Sequence, residues 1–326
     1  MRDRPFPPNI ATFELSHIGK GQRLMRRWGG GKAIFAGVLV AIFLGAGTLT
    51  PAVAARKSSP APRASSATRG PDVRSNAALV LDTTNGSVVF ERKAELVAPI
   101  ASITKLMTAL VALDAKLPMD EIIEIEPADR WKGKGSFSRL TTGTKLSRGD
   151  LLHLALMASE NRAARAVGRS FPGGEPAFVK AMNAKAKALG MTQTHFDDPS
   201  GLSTENVSSA RDLAKLVIAA SRNPTIREFS TSPSHTVKVG RSMLEFRNTN
   251  SLVKNPSWDI TVQKTGFINE AGECLVMQTM IEERPVVIVL LNSFGKYTRV
   301  ADAKRIRQWM ETQRPRSLAR LDTQRR

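Results

Sequence analysis

A chain of 326 residues with 41% apolar side chains is long enough to bury a full core, which excludes a disordered protein. Its formal net charge of +19 would suit nucleic acid, but the charge sits at the ends. Residues 1–54 carry seven Lys/Arg against two acids, 55–70 four against none, and 314–326 five against one, so only +6 remains over 71–313. No Lys/Arg run there is interleaved with aromatics, which excludes nucleic-acid binding and leaves the basic ends as targeting or solvated tails. Weak contact with membrane or anionic glycan is the surface role such ends would have.

From the N-terminus, Ala33 to Gly47 is an uncharged run preceded by Arg26, Arg27 and Lys32 and followed by Pro51-Ala52-Val53-Ala54. This reads as a signal peptide over 1–54, cleaved after Ala54, which places the mature chain in the periplasm. The run falls short of the roughly 20 apolar residues that cross a bilayer, and an uncleaved inner-membrane anchor is the alternative. A start at Met25 gives the signal an ordinary length. Residues 55–74 are Pro/Ser-rich with basic punctuation and read as a flexible linker.

Folding is expected over 75–312, as a single catalytic domain. Ala77 to Asp82, a two-residue Asn85-Gly86 turn and Ser87 to Glu91 read as a β-hairpin. Helical spacing follows at Ser102–Ala115, Arg148–Met157, Asn161–Ser170, Glu175–Leu189 and Ala210–Ser221, the last stopped by Pro224. Strands are expected at Ile260–Lys264, Cys274–Ile281 and Val286–Leu291, then a helix at Thr298–Thr312 and a basic tail over 313–326. Strands at both ends with helices between them predict an α+β fold, one antiparallel sheet flanked by helices. Cys274, the single cysteine, cannot form an internal disulfide and reads as a small buried hydrophobe.

Three motifs carry the chemistry in combination. Ser-x-x-Lys occurs three times, at Ser102–Lys105, Ser251–Lys254 and Ser293–Lys296, and only the first opens a convincing helix. There the amine one turn on reaches the hydroxyl. Ser-x-Asn occurs at Ser159-Glu160-Asn161 and at Ser221-Arg222-Asn223; Lys-Thr-Gly occurs once, at Lys264-Thr265-Gly266, expected at a strand end.

A serine hydroxyl needs a base, and a lysine serves once burial or a second cation makes its neutral form accessible. Ser102 is therefore the candidate nucleophile and Lys105 its base, with Lys264 the expected second cation. Ser159 would relay a proton to the leaving amine, or merely cap the next helix; Asn161 would position Lys105 and the substrate carbonyl; Glu160 reads as solvated. Lys264 and Thr265 suit a carboxylate, Gly266 admits the substrate backbone, and the N–H groups of Ser102 and Phe267 would hold an oxyanion. His17, His153, His195 and His235 show no metal-ligand spacing, which excludes a zinc peptidase and leaves no metal site. His153 reads as a packed or partly exposed side chain.

The runs Ala77–Ala109, Leu152–Ala164, Asn183–Gly190, Phe246–Leu252 and Lys264–Met277 together resemble the low-molecular-mass D-alanyl-D-alanine peptidases, peptidase family S11, and most of all its endopeptidases. The resemblance covers residues 75–312. It implies the serine β-lactamase-like transpeptidase fold and an acyl-enzyme on Ser102. It also implies peptidoglycan stem peptides and cross-links as substrates, β-lactams as covalent inhibitors, and no cofactor. Only about 13 residues follow the last expected helix, too few for the β-rich domain and membrane helix of the family's carboxypeptidases, so an endopeptidase is expected; a carboxypeptidase trimming terminal D-alanine is the alternative. A β-lactamase would need a Glu-x-x-Leu-Asn run between the second and third motifs, and there is none. A non-catalytic cell-wall or β-lactam binder would have lost one of these groups, and all are present.

Overall fold

The computed structural model describes residues 70–133 and 137–313. The expected signal peptide, most of the linker and the basic tail lie outside the described residues. All that follows belongs to one unit, Ala64–Arg326.

The sheet is built from β1 (Ser75–Asp82), β2 (Val88–Arg92), β9 (Ile260–Ile268), β10 (Gly272–Ile281) and β11 (Arg284–Ser293), in the order β2-β1-β11-β10-β9 and antiparallel throughout. Its central strands are apolar on both faces, and the alternation of side chains sorts them into two cores. Leu79, Val276, Val287, Val289 and Leu291 enter one cluster; Val80, Leu275, Met277, Ile288 and Leu290 enter the other. Cys274 lies fully buried in the first, its thiol pushed up to about 11 by burial.

Helices cover both faces. On the first lie α1 (Thr104–Asp114), α2 (Arg148–Met157), α3 (Asn161–Arg169), α4 (Gly174–Ala188), α5 (Ala210–Ser221) and α6 (Pro224–Thr231), with α5 against the sheet. On the second, α7 (Thr298–Thr312) lays Ala303, Ile306 and Met310 into the core. No helix among the described residues is long and apolar enough to cross a membrane. The α+β reading of one sheet flanked by helices is therefore what the chain adopts.

Several expectations need correction. The first hairpin is closed by five residues and not two: Gly86 alone takes a positive φ, +73°, while the Asn85 side chain accepts from Ser87 N at 2.9 Å. Pro224 does not only follow a helix; it opens α6, capped by Asn223 Oδ1 accepting from Ile226 N at 3.2 Å. The second Ser-x-Asn thus ends in a helix cap. A hairpin of β7 (Ser234–Val239) and β8 (Ser242–Arg247) adds to the expected elements; its strands are short and largely exposed, so each carries only a weak apolar pattern. It is tied to α2 where His235 Nε2 meets Asp150 Oδ1 at 2.8 Å. His153, half-buried, stacks between Phe229 and His235, and burial first, then His235, lowers its pKa to about 4. The remaining strands are short pairs: β3 (Ala98–Pro99) with β6 (Val207–Ser208), and β4 (Ile122–Glu124) with β5 (Lys145–Ser147).

Candidate active site

Ser102 lies in a 3-10 turn, Ala101–Ile103, that runs directly into α1. The turn is entered through Ala101 at φ +48°, a left-handed conformation that costs a residue with a β-carbon. Gly201 passes so close that a β-carbon there would overlap the Ala101 carbonyl. Because turn and helix are continuous, the Lys105 Nζ stands 2.7 Å from Ser102 Oγ.

Lys105 is fully buried, and its amine also donates to Asn161 Oδ1 at 2.7 Å and to the Ser200 carbonyl at 2.5 Å. Three acceptors match the three donors of an ammonium, which fixes the amine in place. Burial pulls its pKa down to about 7, against the opposing pull of the Asp198 and Glu160 carboxylates. The second-cation expectation needs amending here. Burial lowers Lys105, whereas Lys264 falls well below the usual range through burial and then through repulsion from Lys105 and Arg299.

Lys264 is equally buried, and its amine donates to Ser159 Oγ at 2.8 Å and to the Thr265 carbonyl at 2.8 Å. Ser159 is held at φ +61° and gives α3 no cap; the cap position is Glu160, without a side-chain bond. The capping alternative therefore fails, and the strained backbone instead aims the hydroxyl at Lys264. Thr265 Oγ1 lies 2.6 Å from Thr249 Oγ1.

Lys-Thr-Gly lies inside β9, four residues or fewer from its end, and β9 is an edge strand. A β-carbon on Gly266 would come within 2.9 Å of the Ile100 carbonyl and 3.2 Å of Ser102 N, so only glycine lets the strand sit against the Ser102 turn. Arg299 of α7 braces this seam, its Nη1 donating to the Gly266 carbonyl at 2.8 Å and pairing with Glu273. Phe267, 55% exposed, follows at the rim.

The structure thus brings together all eight singled-out residues, Ser102, Lys105, Ser159, Asn161, Lys264, Thr265, Gly266 and Phe267. The two other Ser-x-x-Lys matches fall elsewhere: Ser251–Lys254 is a 3-10 turn, and Ser293 ends β11, buried against Ser75 Oγ at 2.7 Å.

Two features escaped the sequence. Asp198 organises the loop that presents the Ser200 carbonyl: it accepts from Gly201 N at 2.9 Å, Ser203 N at 2.8 Å and Asn206 Nδ2 at 3.0 Å. The run Asp197-Asp198-Pro199-Ser200-Gly201 marks a turn, but nothing in it says which side chain the turn meets. Glu160, expected in solvent, is 5% exposed, and its Oε1 accepts from Ser138 Oγ and from Leu140 N at 3.5 Å. Hollows adjoin the site on either side. One of about 380 Å³ lies against Phe267, Leu202 and Trp131. One of about 310 Å³ lies against Ser159, Glu160, Arg139 and Arg247.

A hydroxyl, a buried amine of depressed pKa, a second amine bonded to another hydroxyl, and an edge strand make a site suited to acyl transfer to serine. Comparison with known proteins agrees. The family model for Peptidase S11, D-alanyl-D-alanine carboxypeptidase, matches residues 64–295. A D-alanyl-D-alanine endopeptidase of Pseudomonas aeruginosa is 50% identical over 84% of this chain and 87% of its own. One of Escherichia coli is 49% identical over 74% and 79%. Among solved structures, a D-alanyl-D-alanine carboxypeptidase from Mycobacterium tuberculosis superposes with a TM-score of 0.69 at 28% identity, covering 77% of this chain and 96% of that one. A penicillin-binding protein of Listeria monocytogenes in its cefotaxime-bound form gives 0.66 at 29% identity, covering 74% and 99%.

Proposed function

Since the chain belongs to peptidase family S11 and is a serine D-alanyl-D-alanine peptidase, we propose that it cleaves D-alanyl cross-links of peptidoglycan as an endopeptidase, through an acyl-enzyme on Ser102. The observation that carries the assignment of roles is the chain of contacts from Ser102 Oγ through Lys105 Nζ to Asn161, beside a strand whose Lys264 holds Ser159 and whose Gly266 packs against Ser102 N.

The neutral Lys105 amine takes the Ser102 proton as Oγ attacks the D-alanyl carbonyl. The oxyanion is received by the N–H groups of Ser102 and Phe267. The Thr265 carbonyl leaves the free side of β9 to meet Lys264, and in an extended strand every second residue presents its backbone groups to the same side, so Phe267 N–H shares that edge. As the tetrahedral intermediate collapses, the C–N bond breaks and Ser159, hydrogen-bonded to Lys264, gives its proton to the departing amine and is refilled by the proton Lys105 took from Ser102, which leaves Lys105 neutral again. Water then attacks the Ser102 ester with Lys105 as base, releasing the carboxylate and restoring the hydroxyl. Thr265 and Lys264 would hold the substrate carboxylate beside the leaving amine. β-Lactams acylate Ser102 by the same first half.

Endopeptidase is preferred because the relatives at 50% and 49% identity carry that name, whereas a Streptomyces carboxypeptidase is 30% identical over 81% of the chain. Trimming of terminal D-alanine is the second reading, served by the same groups. Purified enzyme incubated with cross-linked muropeptide dimers and with pentapeptide monomers, followed by chromatography, separates the two. Dimers split faster than pentapeptides lose D-alanine if the first reading holds. Ser102→Ala is expected to lose turnover by at least about 10³-fold and to form no adduct with labelled penicillin.

The domain plan belongs to the same proposal: export by residues 1–54, a linker over 55–74, catalysis over 75–312 and a basic tail over 313–326, with the mature enzyme in the periplasm beside its substrate. Sequencing of the mature N-terminus checks it. Cleavage after Ala54 is expected.

A further inference from the structure

Glu160 presents an anomaly. The carboxylate is 5% exposed, one oxygen is held by Ser138 Oγ and Leu140 N, and the other, Oε2, is buried with no hydrogen-bond partner among the described residues. An orphaned carboxylate oxygen is costly, and although that oxygen has no open surface of its own, Glu160 as a residue lines the 310 Å³ hollow that also touches Ser159. The same hollow is lined by two cations. Arg139 is stacked on the Phe246 ring at 4.3 Å and anchored by its Nη1 to the Glu245 carbonyl at 2.8 Å; Arg247, exposed, pairs with the Glu245 carboxylate at 3.0 Å.

Position gives this hollow a meaning. In the proposed mechanism Ser159 gives the proton to the departing amine, and Ser159 also lines this hollow, so whatever that amine is attached to continues past Ser159 and outward. Free D-alanine ends there and leaves the hollow unused. A leaving group that is itself a peptide extends into it.

We propose that the hollow formed by Glu160, Arg139 and Arg247 is a subsite for the leaving side of a cross-link, selecting a peptide-bearing amine over a single amino acid. The two guanidinium groups take a carboxylate of that peptide. This inference rests on the endopeptidase reading and gives it a structural cause.

The test uses three substrates of the full-length enzyme: a cross-linked muropeptide dimer, the matching pentapeptide with a terminal D-alanine, and a fluorescent penicillin. In the doubly substituted Arg139→Ala/Arg247→Ala enzyme, kcat/KM for the dimer is expected to fall tenfold or more, mostly through KM. Pentapeptide hydrolysis and penicillin acylation stay within twofold, and Arg139→Lys/Arg247→Lys recovers part of the dimer activity. An unchanged dimer rate overturns the subsite, and so does an equal loss on all three substrates, which would mark a structural role. If the unsubstituted enzyme trims pentapeptides and leaves dimers intact, the endopeptidase reading falls and the subsite with it; that outcome is read before any variant is made.

Discussion

Lys105 shows how burial makes the neutral form of an amine accessible, which is what its proposed role as base requires. An amine of normal pKa is a poor proton acceptor at neutral pH, and here desolvation brings it to about 7 while Asp198 and Glu160 limit the fall. The sign follows directly. Below that value Lys105 is an ammonium and cannot take the Ser102 proton, so acylation weakens as pH falls through 7 and levels off above it. The second-order rate for labelled penicillin is expected to be roughly tenfold lower at pH 6 than on the plateau. Lys105→Arg keeps the charge, cannot deprotonate, and is expected to abolish acylation at every pH tested.

At the level of elements, the site is a seam between the Ser102 turn and the β9 edge. Neither could approach the other without two glycines: Gly266 on the strand, and Gly201 at φ +80° under the turn. Gly266→Ala would press a β-carbon against the Ile100 carbonyl and Ser102 N, both backbone atoms that yield only if the turn moves. A displacement of well under 1 Å there moves the Ser102 hydroxyl and the Ser102 N–H, the proposed nucleophile and oxyanion donor, together. Acylation is expected to fall about 100-fold, with a stability loss of only about 1–3 kcal/mol. Stopped-flow acylation and thermal unfolding of the same preparation check both.

For the molecule as a whole, the sheet needs its first strand and last helix joined, although they lie more than 200 residues apart in sequence. Asp302 of α7, fully buried, does this by accepting from Ser75 N at 2.7 Å and from Arg74 N at 3.0 Å, and from the Ser75 hydroxyl at 2.5 Å. Asp302→Ala leaves those donors buried and unpaired. It is expected to cost about 2–4 kcal/mol, seen as a fall in Tm of several degrees. Penicillin acylation by the folded fraction is expected within twofold of the parent, since α7's contact with the site runs through Arg299.

The sequence alone was enough for the residue types and the element order that catalysis requires. Ser-x-x-Lys at a helix entry, Ser-x-Asn between helices and a single Lys-Thr-Gly before a β-rich end are local patterns, and local patterns survive in a one-dimensional reading. The periodicity that marked Ala210–Ser221 and Thr298–Thr312 did so because each helix buries one side against the sheet. Tertiary structure decided what depends on distant partners. Glu160 is buried because Ser138 and Leu140 meet it, Ser159 aims at Lys264 because its backbone is forced to positive φ, and the Lys105 pKa is lowered because helices and a loop from Asp198 to Asn206 close over it. Burial and charge pairing are properties of three-dimensional neighbourhoods, and no spacing along the chain encodes them.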